Sequence, residues 1–248
     1  MNSVSVYYQD LKSGRWFGIN QNENYDPASL LKIPIMIAYF KEAESDPSIL
    51  SKKIYYQQKQ DFNTNQNIAL TKSIQSDQNY TIEELINSMI VNSDNNSKEL
   101  LAQYIDPSLL NEVYSDLNIP LGAPDSDFMS VRSYSYFFRV LYNSTYLDHD
   151  FSEKALALLT QTNFKDGIVA GIPDYISVAH KFGERRFINS SNNQVLGQEL
   201  HDCGIIYDPI HPYLLCIMTR GVDISSLENI IQKISAGIYQ DTVDRYQQ

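Results

Sequence analysis

Polar and apolar residues alternate over Ser3-Val4-Ser5-Val6-Tyr7-Tyr8, which predicts a β-strand. Ser13-Gly14-Arg15 then turns the chain into a second strand, Trp16-Phe17-Gly18-Ile19, completing a hairpin. A polar stretch, 20–27, ends in Asp26-Pro27-Ala28-Ser29. From Ser29 to about Glu44 the chain is apolar on nearly every side of a helical repeat. A helix of that kind is buried in the middle of a domain. Pro34 falls in its first turns, where a missing N–H costs least. From about 45 to 164 the pattern stays helical between Asn-, Ser- and Pro-rich breaks. Thr81-Ile82-Glu83-Glu84 is a capping box that opens a helix running to about Val91. That helix stops at Asn92-Ser93-Asp94-Asn95-Asn96, a cluster of turn formers. Further helices are predicted over 97–104, 108–117, 131–142 and 152–160. Beyond Gly171-Ile172-Pro173 the period changes to two, predicting strands at 176–182, 198–207 and 213–219. A last amphipathic helix carries Ile224, Leu227, Ile230, Ile231, Ile234 and Ile238 on one side.

Strands at both ends with helices between them predict an α/β (α+β) architecture. Its antiparallel sheet is built from both termini and flanked by helices (1–44 and 165–248), with an all-helical lobe inserted at 45–164. The two lobes are expected to form one continuous domain, with a ligand cleft where they meet. Nineteen Lys+Arg against 30 Asp+Glu give a net charge of −11. Such a surface repels phosphate backbones and excludes nucleic acid as a partner. No apolar stretch approaches the ~20 residues needed to cross a bilayer, and Met1 leads straight into the first strand without a signal peptide. The chain is therefore either cytoplasmic or the remainder of an exported protein. Membrane anchoring enters only if an N-terminal segment was removed. The four histidines have no metal-ligand spacing, so neither a metal nor a cofactor is expected. His201 and His211 read as a strand residue and a turn residue. Cys203 and Cys216 either face each other as a disulfide or stand as two buried thiols, with separate thiols the leading expectation.

Chemistry enters at Ser29. A serine hydroxyl needs a partner to take its proton during attack. Lys32, three residues on at the start of a helix, shares a face with it. A lysine acts as a base only when burial or a neighbouring cation lowers its pKa, and the long apolar helix supplies burial. The helix start also aims N–H groups and positive potential at the serine. The Ser-x-x-Lys spacing alone is a weak signal, since a serine that opens a helix is usually a cap. Two more clusters add to it: Ser93-Asp94-Asn95 at a helix end and Lys181-Phe182-Gly183 on a strand.

These three segments, in this order, resemble the S-x-x-K, S-D-N and K-T-G signatures of the class A β-lactamase and penicillin-binding-protein superfamily. His201-Asp202-Cys203-Gly204-Ile205 is similar to the family's strand after the third signature. The resemblance implies that Ser29 is acylated and that Lys32 accepts its proton. It implies that Ser93 relays the proton to the leaving nitrogen beside Lys181, and that Asn95 binds the substrate's amide. The N–H groups of Ser29 and Glu184, with Gly183 allowing close approach, would form an oxyanion hole. The substrate would be a small-molecule β-lactam or a peptide-like amide, and the location extracytoplasmic.

The chain departs from the family in two places. Phe182 stands where the family carries Thr or Ser, which removes a hydroxyl that helps hold a substrate carboxylate. Arg220 is then the candidate replacement, its guanidinium fork matching a carboxylate, against an ordinary exposed charge. No Glu-x-x-x-Asn pattern occurs between Asn95 and Lys181, and Asp125 and Asp127 are the only acids near the missing loop. Acylation with slow deacylation is expected. The alternatives are a penicillin-binding-protein-like peptidase, a serine glutaminase and a non-catalytic binding module on the same scaffold.

Overall fold

The computed structural model describes residues 3–64, 66–123, 126–189, 191–192 and 194–246. In chain order the first half holds β1 (Ser3–Asp10), β2 (Trp16–Ile19), β3 (Asn24–Tyr25), α1 (Lys32–Ser45), β4 (Lys53–Tyr56), β5 (Gln78–Thr81), α2 (Ile82–Val91), α3 (Asn95–Tyr104) and α4 (Pro107–Asp116). The second half holds β6 (Met129–Ser130), α5 (Val131–Tyr142), α6 (His149–Thr160), β7 (Val178–Ile188), β8 (Val195–Ile206), β9 (Tyr213–Gly221) and α7 (Ile224–Tyr246). They form two compact units. One comprises Met1–Leu30, Leu121–Phe138 and Phe164–Gln248; the other comprises Leu31–Pro120 and Arg139–Asn163.

The first unit is built on a five-stranded antiparallel sheet ordered β2-β1-β9-β8-β7. The N-terminal hairpin thus joins the C-terminal strands, as the period-two segments at both ends required. β9 is the central strand, and Tyr213 to Met218 along it are wholly buried. Such a continuous apolar run suits a strand covered on both faces. α7 packs against β8 and β9, burying Leu227 and Ile231. β7 forms one edge of the sheet, so alternate backbone groups along it face away from β8.

The registers pair Lys181 with Cys203 and Cys203 with Cys216. The two cysteines are bonded, their Cα atoms 4.0 Å apart. This corrects the expectation of separate thiols. Opposed residues of an antiparallel pair lie within disulfide reach, but sequence periodicity does not fix which residues oppose one another.

The second unit is organised around α1, in which Lys32 through Phe40 are all buried. The helix packs against α2, α3, α4 and α6, which accounts for its lack of a polar face. The segment expected to be all helical also contains a two-stranded ribbon, β4 with β5. Ile54 and Tyr56 are buried while Lys53 and Tyr55 are exposed. Four residues of alternation are too few to stand out against a helical background. Among the described residues, no helix is long and apolar enough to cross a membrane.

Ile37 is fully buried in α1. Truncation to alanine leaves a cavity, so Ile37→Ala should destabilise the protein by about 2–5 kcal/mol, read as a lowered urea midpoint with unchanged slope.

Candidate active site

Lys32 opens α1 with 2% of its surface exposed. Its Nζ donates to the backbone O of Ser93 at 2.6 Å, to Ser93 Oγ at 3.0 Å and to Asn95 Oδ1 at 2.7 Å. An ammonium has three protons for these three acceptors. A neutral amine fits the same cage when Ser93 turns its hydroxyl to donate to the amine lone pair. The second unit therefore brings Lys32, Ser93 and Asn95 together as the sequence suggested. Asn95 Nδ2 donates to Phe62 O at 3.1 Å, so its amide is held at both ends.

Asp94 has no side chain in that cage, yet it shapes it. Its carboxylate, wholly buried, accepts from Asn96 N, Ile74 N, Asn63 Nδ2 and the hydroxyls of Ser73, Ser88 and Ser97. Burial raises this carboxyl, but the hydrogen bonds from Ser97, Asn63, Ile74 and Ser73 outweigh it and hold the group below its ordinary value. The result is a fixed turn in which Ser93 takes φ +57°, a left-handed conformation uncommon for serine. The 61–74 segment, which supplies Asn63, Ser73 and Ile74 among these donors, was not singled out from the sequence. Its signal there is three asparagines and one aspartate.

In the first unit, Ser29 lies in a 3-10 turn, Ala28–Leu31, that directly precedes α1. Ala28 has φ +47°, and its N–H donates to Asp26 Oδ1 at 2.9 Å. The backbone O of Asp26 accepts from His201 Nε2 at 3.0 Å, while His201 Nδ1 accepts from Thr219 N–H at 3.3 Å. The Thr219 contact requires a bare Nδ1, which leaves the proton on Nε2 for Asp26. His201, read from sequence as a plain strand residue, thus anchors the turn that carries Ser29. Gly183 lies against the same turn: a Cβ there would meet Pro27 O at 2.9 Å and Leu30 N at 3.1 Å. The third motif needs its glycine for this close approach.

Lys181 and Phe182 are both buried on β7. The Phe182 ring packs on Phe164 with centroids 4.5 Å apart. Lys181 Nζ donates to Phe182 O at 3.1 Å and lies 4.3 Å from the Phe182 ring centre. Burial pushes Lys181 down to about 7, against the opposing pull of Asp202 and Glu184. Glu184, half-buried, follows on the edge strand. Arg220 is engaged by two carboxylates: Nε donates to Glu199 Oε1 at 2.6 Å, and Nη2 lies 2.5 Å from both Glu199 Oε1 and Asp127 Oδ2. Asp125 lies outside the described residues. Among the described residues, no cluster of three or more His, Cys, Asp or Glu could hold a metal.

The profile of the beta-lactamase enzyme family matches residues 1–242. Among solved structures, a class A β-lactamase from Mycobacterium abscessus is similar at 20% identity. Its TM-score is 0.78 over 97% of this chain and 94% of that one. A β-lactamase from Chitinophaga pinensis DSM 2588 aligns with a TM-score of 0.81 at 16% identity, over 97% of this chain and 94% of that one. The L158E mutant of PBP-A, as an acyl-enzyme complex with penicillin G, aligns with a TM-score of 0.77 at 17% identity. It covers 98% of this chain and 91% of that one. A comparison with curated proteins finds no match. At these identities the structures establish the fold.

Asp94→Asn places an amide among donors that need an anion. It should cost about 3 kcal/mol at neutral pH. Because the folded carboxyl sits below 3.8, its ordinary value, the wild-type advantage is full above that pH and shrinks as the pH falls below it. Urea midpoints of the two proteins at pH 7 and pH 3 check both the cost and its direction.

Proposed function

The chain belongs to the β-lactamase enzyme family, and we propose that it is a serine hydrolase acylated at Ser29 by β-lactams or related amides, with slow deacylation. The observation that carries this reading is the cage around Lys32, where Ser93 O, Ser93 Oγ and Asn95 Oδ1 all meet one buried amine. A lysine used only for surface charge has no need of such a setting. Ser29 Oγ attacks the amide carbon as its proton passes to neutral Lys32, giving a tetrahedral intermediate. The C–N bond then breaks. The leaving nitrogen takes its proton from Ser93 Oγ, which is recharged from Lys32. Lys181, poised near neutrality by burial, supplies positive charge in its protonated fraction. Edge strand β7 offers N–H groups for the developing oxyanion, Glu184 N–H being our candidate beside that of Ser29.

Two facts support stalled deacylation. The sequence between Asn95 and Lys181 contains no Glu-x-x-x-Asn segment. Asp127, an acid near the place where that segment would lie, has its carboxylate committed to Arg220. Among the described residues near that place, water then lacks an evident base. The Cys203–Cys216 disulfide supports an oxidising, extracytoplasmic location.

Incubation with a fluorescent penicillin, followed by intact mass, should give one persistent adduct. Ser29→Ala should abolish it with little change in stability. Lys32→Ala should slow its formation by about 10²–10⁴-fold. Normal acylation rates in Lys32→Ala, or rapid return of the wild type to its unmodified mass with consumption of the antibiotic, would overturn the assignment.

A further inference from the structure

We infer that this protein prefers acyl donors without a carboxylate beside the reactive amide, because the Arg220 guanidinium that would receive one is already held by two carboxylates of the chain. The inference rests on the acyl-enzyme reading above and ranks neutral or cationic amides ahead of anionic ones within its substrate class.

The registers of β7, β8 and β9 align Arg185, Glu199 and Arg220 in one row across the sheet. Two rows along, the same face presents Gly183 and His201 to the turn that carries Ser29. The Arg220 guanidinium lies 5.2 Å from the ring centre of Tyr25, at the start of that turn. Arg185 Nε lies 3.5 Å from Asp26 Oδ2. Two positive side chains, Arg185 and Arg220, therefore face three negative ones, Asp26, Glu199 and Asp127. Among these five side chains the balance is negative, as it is for the whole chain at −11.

The pairing is also asymmetric in burial. The Glu199 side chain is wholly buried, so it stays against Arg220 whatever arrives from solvent. The Asp127 side chain is 43% exposed and occupies the outer position on Nη2. An incoming carboxylate must displace Asp127 and then share one guanidinium with Glu199, near Asp26. Charges of like sign at such range repel strongly in a partly dry site. Phe182 provides no hydroxyl to offset this, and its ring is packed on Phe164. A neutral donor meets none of these costs, and a cationic one gains from the excess carboxylate.

The test compares penicillin G with its methyl ester as acyl donors for the whole protein, following the Ser29 adduct by intact mass. The ester should acylate about tenfold faster than the free acid, the reverse of a carboxylate-selective site. Asp127→Asn, which frees the outer edge of Arg220 at an exposed position, should raise the acid-to-ester rate ratio about tenfold. Faster reaction of the free acid in the wild type, or an unchanged ratio in Asp127→Asn, overturns this inference while leaving the acyl-enzyme reading intact. Absence of any Ser29 adduct with both compounds overturns the two together.

Discussion

An amine at the head of the most deeply buried helix is the constraint on which the second unit depends. α1 is apolar on every side because α2, α3, α4 and α6 surround it. A polar group entering that interior costs several kcal/mol unless it is hydrogen-bonded. Lys32 meets the requirement with three acceptors drawn from residues 93–95. The position of α1 and the shape of the α2–α3 turn therefore fix one another. Asp94 extends the dependence outward, since its buried charge is balanced by donors from α2, from α3 and from residues 63, 73 and 74. Loss of any member leaves a buried polar atom behind, which makes the set more cooperative than its separate bonds.

The first unit holds the turn that carries Ser29 by different means. Backbone groups do most of the work there: Thr219 N–H sets the His201 tautomer, His201 holds Asp26 O, and the bare Cα of Gly183 lets β7 approach Pro27 O. The disulfide lies in the same part of the sheet, with Cys203 directly opposite Lys181 on β7. A covalent tie between β8 and β9 reinforces the strands that present His201 and Thr219.

Periodicity carried most of the architecture. α1, the α2 capping box and the terminal strands are long or strongly patterned, and their burial follows directly from their composition. The ribbon β4–β5 is too short for that signal. The disulfide needed a register, and a register depends on partners far along the chain. The site divides in the same way. Ser29, Lys32, Ser93 and Lys181 stood out as candidates because their spacing matches known chemistry, and Lys32 and Ser93 meet in the fold. His201, Asn63 and Ser73 were not, since they act by filling hydrogen-bonding needs that exist only once the chain has folded. Phe182 is an intermediate case: the sequence marked it as unusual, and only the strand's alternation and Phe164 show that its ring is packed inside.

The two motif serines share a device that no spacing rule reveals. Ser93 itself and Ala28, the neighbour of Ser29, both take positive φ without being glycine. Each lies next to or near an aspartate, Asp94 or Asp26, whose side chain accepts a backbone N–H two residues further on. A left-handed non-glycine residue costs about 1–3 kcal/mol and persists only where its surroundings leave no alternative. Here those surroundings are buried hydrogen bonds: six donors at Asp94, and His201 behind Asp26. Glycine would relieve the strain at either position but would also widen the conformations open to the turn. If Ser29 is the nucleophile proposed above, holding its hydroxyl in one place gains more from restriction than it loses to strain.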